Sequence, residues 1–439
     1  MNMLTVLAYS MVVVFMALIM TKRLPAVVAL ILVPIAFGLA GGFGAGLGPM
    51  MLDGIKKLAP TGVMLMFAIL YFGVMIDAGL FDPIVRTILK VVHGDPMKIV
   101  VGTAVLAMFV SLDGDGSTTY MITVSAMLPL YKRLGISRLV LACVIMLAGG
   151  VFNILPWGGP TARAASALGV DVGAIFVPMI PAMIVSALWV VFVAFLLGRR
   201  ERKRIGVIDL ESAAVGHPEM ELHASDPAIA RPNLLWINAA LTVALMAVLI
   251  LGLLPLPALF MIAFAIAIMI NYPKLEDQKE RLTAHAANVL PVVALIFAAG
   301  IFVGILSGTK MVDAIAASVI AAVPGWMGPY LAIVTGVLSI PFTFFISNDA
   351  FYFGIVPILA KAAAVYGISA AEIGRASIIG QPVHLLSPLV ASTYLLVGMS
   401  GIEFGDHQRY TLFWSLTASL VMLAAAVIFG VIPLIGHVH

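Results

Sequence analysis

Residues 111–120 read "SLDGDGSTTY". The run before them is "KIVVGTAVLAMFV" and the run after is "MITVSAMLPL", both strongly apolar. Asp113 and Asp115 stand two residues apart beside Gly114 and Gly116, and Ser117, Thr118 and Thr119 follow. Two carboxylates and three hydroxyls in such a passage mark either a turn at a membrane surface or the tip of a helical hairpin that enters a membrane and returns. The rest of the chain decides between them.

Of the 439 residues, 62% are hydrophobic and 10% are charged, where a soluble domain carries about 25% charged residues. The excess apolar surface needs a bilayer as solvent. The net charge of +3 is too small to point to a nucleic-acid partner. One cysteine, Cys143, excludes an intrachain disulfide. At the N-terminus, Lys22 and Arg23 follow the first apolar run instead of preceding it. That order predicts a retained first span with its N-terminus outside, not a cleaved signal peptide.

A spanning helix needs about 20 apolar residues. Spans are predicted near 4–20, 24–47, 61–79, 139–168, 174–198, 233–253, 256–272, 287–307, 375–399 and 411–435. Two further runs, 98–130 and 328–360, are broken at their centres by "DGDGSTT" and "SND". The one long hydrophilic segment, 199–232, opens with five basic residues between Arg199 and Arg204 and reads as a cytoplasmic linker. The connections carrying Lys22/Arg23, Arg86/Lys90/Lys98, "YKRLGISR" and "PKLEDQKER" then fall on the same side. This bias holds only if 98–130 and 328–360 each enter and leave on one side, so both are predicted to be re-entrant hairpins.

An internal repeat joins the two halves. "GIS" occurs at 135–137 and 367–369, and Pro156 and Thr161 recur as Pro388 and Thr393, 232 residues on. "GVDVG" at 169–173 matches "GIEFG" at 401–405 at the same offset. Pro60, Gly73 and Asp82 match Pro291, Gly304 and Asp313 at 231. Several matches in order at nearly one offset indicate duplication. The expected architecture is an all-α polytopic membrane protein of two inverted-topology repeats, 1–198 and 233–439. Each holds five transmembrane helices and one re-entrant hairpin, with broken helices at 139–168 and 375–399. Inverted repeats with interrupted helices are the mark of a secondary transporter.

The polar interruptions are the candidate site, because irregular backbone at membrane depth is tolerated only where protein buries it or it lines a water-filled cavity. The first tip supplies Asp113, Asp115, Ser117, Thr118 and Thr119; its D-x-D-x-S pattern resembles the start of a calcium loop, but position 124 is Val where such a loop needs Glu. The second tip supplies Ser347, Asn348 and Asp349, which a simple helix cap also explains. The stretch "FNILPWGGPTARAAS" supplies Asn153, Gly158, Gly159, Thr161 and Arg163. Arg163 is an intramembrane cation suited to a substrate carboxylate or to an internal Asp. The stretch "GQPVHLLSPLVAST" supplies Gln381, His384, Ser387, Ser392 and Thr393. His384, between two prolines, suits metal, substrate or proton handling, or plain core packing. Free helix N-termini favour an anion and carboxylates a cation, so the solute is expected to be an anion, alone or with a cation.

At these four stretches the sequence resembles the metal-citrate:proton symporters, the CitMHS family, over nearly its whole length. The wider superfamily includes the divalent-anion:sodium symporters. The resemblance implies uptake of citrate as a complex with a divalent metal such as Mg²⁺ or Ca²⁺, driven by protons, with that metal as cargo and no resident cofactor. It also implies a homodimer in a bacterial-type inner membrane, with elevator-like transport domains. The sodium-coupled relatives carry Ser-Asn-Thr at each hairpin tip. Here the second tip reads Ser347-Asn348-Asp349, and Thr119-Tyr120-Met121 stands at the equivalent place in the first. Citrate carries about three negative charges at neutral pH, and a divalent cation leaves about one, which lowers the cost of desolvation. Asp113, Asp115, Asp349 and His384 are the candidate contacts to the metal. A buried carboxyl favours its neutral form and can carry a proton; Asp349, Asp115 and Asp113 are the candidates, in that order.

The nearest rival is a sodium-coupled carrier of free citrate or a dicarboxylate. An intramembrane aspartyl protease would use the paired acids but has no need of four matched interruptions, and a channel would lack counterflow exchange.

Overall fold

The computed structural model describes residues 3–21, 23–91, 95–114, 116–206, 228–322, 324, 326–387 and 390–436. Among them every regular element is a helix. The first half holds α1 (Met3–Met20), α2 (Ala26–Ala40), α3 (Leu47–Asp77), α4 (Asp82–Val91), α5 (Pro96–Val110), α6 (Gly116–Leu134), α7 (Arg138–Phe152), α8 (Gly159–Leu168) and α9 (Val172–Ile205). The second half holds α10 (Leu235–Leu251), α11 (Leu256–Asn271), α12 (Leu275–Gly308), α13 (Met311–Ala322), α14 (Leu331–Phe345), α15 (Val356–Ala364), α16 (Ala370–Ser377), α17 (Gln381–His384), α18 (Ala391–Ser400) and α19 (Phe404–Ile428). Among the described residues, seven helical segments are long and apolar enough to cross a membrane.

The element bounds recur along the chain. α3 ends at Asp77 and α12 at Gly308, 231 residues later, and α8 and α18 share both bounds at an offset of 232. The packing recurs with an exchange of halves. α3 packs on α11 while α12 packs on α2; α6 packs on α18 while α15 packs on α8; α7 packs on α19 while α16 packs on α9.

At the centre of this exchange α3 crosses α12. Their backbones meet where Gly54 faces Gly300 and Gly304. A β-carbon on Gly54 would stand 1.9 Å from the Gly300 carbonyl oxygen, and one on Gly304 would stand 2.2 Å from that of Met50. Small residues permit this approach, and in lipid it is close packing that holds helices together.

Both crossing helices are longer than the sequence predicts. The predicted span 61–79 is the second part of α3, which starts at Leu47 and runs 31 residues, about 46 Å at 1.5 Å per residue. The stretch "PKLEDQKER", expected as a connection, is mostly the first turns of the 34-residue α12. Glu, Lys, Gln and Arg are good helix formers, so the charged run extends the helix instead of ending it. The predicted span 24–47 divides, since α2 stops at Ala40 before "GGFGAG".

Candidate functional site

In the opening stretch α5 ends at Val110, a single 3₁₀ turn covers Ser111–Asp113, and α6 begins at Gly116. Gly114 takes φ +80°, in the left-handed region that favours glycine. A side chain there would also collide with Trp157, whose ring carbon lies 2.6 Å from the position of a β-carbon. Trp157 packs on Phe72 of α3 and Phe260 of α11, with ring centroids 4.9 and 5.2 Å away, and its Nε1–H donates to the Leu112 carbonyl at 2.9 Å. One aromatic side chain thus fastens the first tip and the break at 153–158 to α3 and α11. Thr119 Oγ1 donates to Ser111 Oγ at 3.3 Å within the tip. Asp113 is buried; Asp115 lies outside the described residues.

On the other side α14 ends at Phe345, and Ser347 Oγ accepts the Ala350 N–H at 3.2 Å. Asp349 precedes a wider, π-helical turn at Ala350–Ile355 that leads into α15. Such turns are rare and gather at functional sites.

The two broken helices complete the arrangement. α7 and α8 are separated by 153–158, and α16, α17 and α18 by 378–380 and 385–390. Asn153 Nδ2 donates to Gln381 Oε1 at 2.9 Å. Gln381 Nε2 in turn donates to Tyr352 Oη at 2.9 Å and reaches Asn348 Oδ1 at 3.4 Å. Tyr352 donates onward to the Ser377 carbonyl at 3.2 Å. Arg163 Nε sits 2.6 Å from Asp349 Oδ1, with both side chains mostly shielded from solvent.

Several predicted site residues serve the breaks themselves. Thr161 Oγ1 donates to the Ile154 carbonyl at 2.6 Å, and its counterpart Thr393 donates to that of Leu385. His384 Nδ1 lies 2.6 Å from the Thr343 carbonyl, and Ser387 Oγ donates to that of Phe344 at 2.6 Å. Those carbonyls belong to the last turn of α14, where intrahelical partners run out. Gly158 is the N-cap of α8.

A cavity of about 580 Å³ lies among these elements. Of the predicted residues, Asp113, Ser117, Thr118, Thr119, Asn153, Gly159, Arg163, Asn348, His384 and Ser392 line it. Gly158, Thr161, Ser347, Asp349, Gln381, Ser387 and Thr393 are not among its lining residues; they stand behind it or hold the backbone. His285 and Asn288 of α12, with Phe72 and Trp157, line it without having been expected. In the sequence 273–281 reads as a connection, and no motif marks the polar positions of "LTAHAANVL". Trp157 stood inside a quoted motif, but its aromatic character alone does not distinguish it from core.

Of the four residues predicted as metal contacts, Asp115 lies outside the described residues. Asp113 and His384 line the cavity, while Asp349 is engaged by Arg163. Among the described residues no three His, Cys, Asp or Glu side chains gather as a metal-holding group. Among the described residues one carboxylate, two imidazoles, one guanidinium and many neutral groups line the cavity, a set that suits a cation arriving with its own ligands better than a bare one.

Residues 15–380 match the CitMHS family, described as citrate transporter. The citrate transporter of Bacillus subtilis (strain 168) is 60% identical over 430 residues, covering 98% of this chain and 100% of that one. The Mg(2+)/citrate complex secondary transporter of the same organism is 53% identical over 439 residues, covering 98% and 100%. Among solved structures, the Alcanivorax borkumensis YdaH transporter superposes with a TM-score of 0.64 at 17% identity over 98% of each chain. Neisseria gonorrhoeae MtrF superposes with a TM-score of 0.54 at 14% identity, over 87% of this chain and 84% of that one. These two likenesses concern the fold alone. The extent of the family match and the identity to full-length relatives place this chain in the citrate transporter family CitMHS.

Proposed function

We propose that the chain imports citrate complexed with a divalent metal ion, of the Mg²⁺ or Ca²⁺ type, by proton symport. The observation that carries this reading is the Arg163–Asp349 pair at the cavity. Arg163 lines the cavity and Asp349 stands behind it. A citrate carboxylate left free by the metal can draw the guanidinium away from Asp349. The carboxylate it leaves is then buried without a cation, which favours its taking up a proton. Substrate and proton enter together, and departure of the substrate returns Arg163 to Asp349 and expels the proton. Ser117, Thr118, Thr119, Asn153, Asn348 and Ser392 supply neutral hydrogen-bonding groups, and Asp113 and His384 face the metal side of the complex. The name of the 53% identical relative supports the metal complex as cargo.

The exchanged packing of the halves supports two inverted repeats, 1–198 and 233–439, about a cytoplasmic linker at 199–232. The helix–turn–helix segments 96–134 and 331–364 fit re-entrant hairpins, since each pair packs on itself around a polar turn. In this scheme both termini lie outside and the protein sits in a bacterial-type inner membrane. The long α3–α12 pair is the fixed scaffold of a homodimer, past which the tips and broken helices travel in an elevator motion.

Proteoliposomes separate this reading from sodium coupling. An inward proton gradient is expected to drive accumulation of labelled citrate with Mg²⁺ present, and a sodium gradient alone is not. Accumulation on sodium without any divalent cation would favour the sodium-coupled carrier.

A further inference from the structure

α3 and α12 correspond, yet the two ends of their crossing differ. At one end Gly54 meets Gly304. The residue 231 positions after Gly54 is His285, and it lies on Gly73, the counterpart of Gly304. A β-carbon on Gly73 would stand 2.7 Å from the imidazole. One end of the crossing is therefore sealed backbone on backbone, while the other carries a titratable ring at the cavity wall.

The ring is held. His285 Nε2 lies 2.8 Å from Asp77 Oδ2, and Arg281 reaches the same oxygen at 3.3 Å and also pairs with Glu280. Both His285 and Asp77 side chains are 14% exposed. With a neutral imidazole this cluster sums to one negative charge; with an imidazolium it is neutral.

We propose that His285 is a second anion-recognition group of the cavity, whose protonation strengthens the hold on the substrate anion, with Asp77 positioning its ring. The proposal rests on the metal-citrate reading above. The other charged groups around it are accounted for. From α8 comes Arg163, which holds Asp349; Asp113 and His384 line the same cavity. Tyr272, which carries Arg231 4.8 Å over its ring, lies within electrostatic reach of Asp77, Arg281 and Asp277. α2 carries no charged residue, and Asp313 of α13 pairs with Lys361 at 3.0 Å. An imidazole ordinarily changes charge between about pH 5 and 8, and comparison with His285→Gln separates this ring from His384 on the same cavity.

The sign follows. Protonation below that window adds a positive charge and tightens anion binding; raising the pH removes it. The test is binding of Mg²⁺ plus citrate to the purified full chain by titration calorimetry at several pH values, for wild type, His285→Gln and Asp77→Asn. The ratio of wild-type to His285→Gln affinity cancels citrate's own titration, and it is expected to fall about tenfold from pH 6 to pH 8, the scale of one charge-assisted hydrogen bond. Wild type should take up more protons on binding than His285→Gln, read from buffers of different ionisation enthalpy. Asp77→Asn should flatten the pH dependence in the same direction as His285→Gln, because the ring loses the carboxylate that positions it. A ratio constant with pH overturns the proposal. If His285→Gln does not fold, the wild-type to Asp77→Asn ratio carries the test, and its constancy overturns the proposal equally. No binding by wild type at any pH overturns the metal-citrate reading, and this proposal with it.

Discussion

Asp349→Asn is expected to reduce proton-driven citrate accumulation about a hundredfold, the scale of removing a group that must transfer a proton. Exchange of internal for external metal-citrate should change by no more than about fivefold, since a hydrogen-bond contact worth about 1 kcal/mol is all that exchange stands to lose. The amide keeps the size of the carboxyl at the start of the wide turn but neither carries the proton nor holds Arg163 by charge. Arg163 then faces the cavity continuously, so the substrate no longer has to displace an internal partner. Equal loss of accumulation and exchange would instead make Asp349 a binding residue. Arg163→Gln is the companion variant. It should weaken apparent substrate affinity about ten- to a hundredfold, as expected for losing a charge-assisted hydrogen bond. Unchanged affinity would confine Arg163 to its pairing with Asp349.

The second large effect concerns the scaffold. Gly54→Val should remove the folded protein from detergent extracts or lower its stability by about 3 kcal/mol or more. Its side chain would occupy the space of the Gly300 carbonyl and the Gly304 Cα, which are backbone atoms and cannot swing aside. Gly48→Ala is the control, because a β-carbon there meets nothing within 4 Å. In that open helical position alanine should be neutral or stabilise by up to about 1 kcal/mol. Fluorescence-detected size exclusion after a heating series reads both. Equal tolerance at the two positions would contradict the close crossing of α3 and α12.

The helical class and the interruptions were legible because hydropathy and polar breaks are local properties of the chain. The break at 153–158 follows from Pro156 and Gly158, which do not continue a helix. The residues that line the cavity were legible where their character is out of place at membrane depth, as with Asp113 and Arg163. Which polar groups face a cavity and which hold the backbone was not legible. Thr161 and Thr393 recur at a fixed offset, which singled them out, but the recurrence reflects a shared duty in closing the breaks. Asp349 and Arg163 stood far apart in sequence, and only the fold makes them a pair. His285 escaped notice because helix formers carry α12 well beyond its apolar run, so a residue expected near the end of a connection lies on a cavity wall.

Citrate is proposed to travel as a metal complex together with protons. The most direct test is uptake of labelled citrate into proteoliposomes under an inward proton gradient, across Mg²⁺, Ca²⁺ and other divalent cations and with all of them chelated. Uptake is expected to require at least one divalent cation, to follow the concentration of the complex and not that of free citrate, and to collapse when the proton gradient is dissipated. Uptake that persists under chelation and tracks free citrate would contradict it.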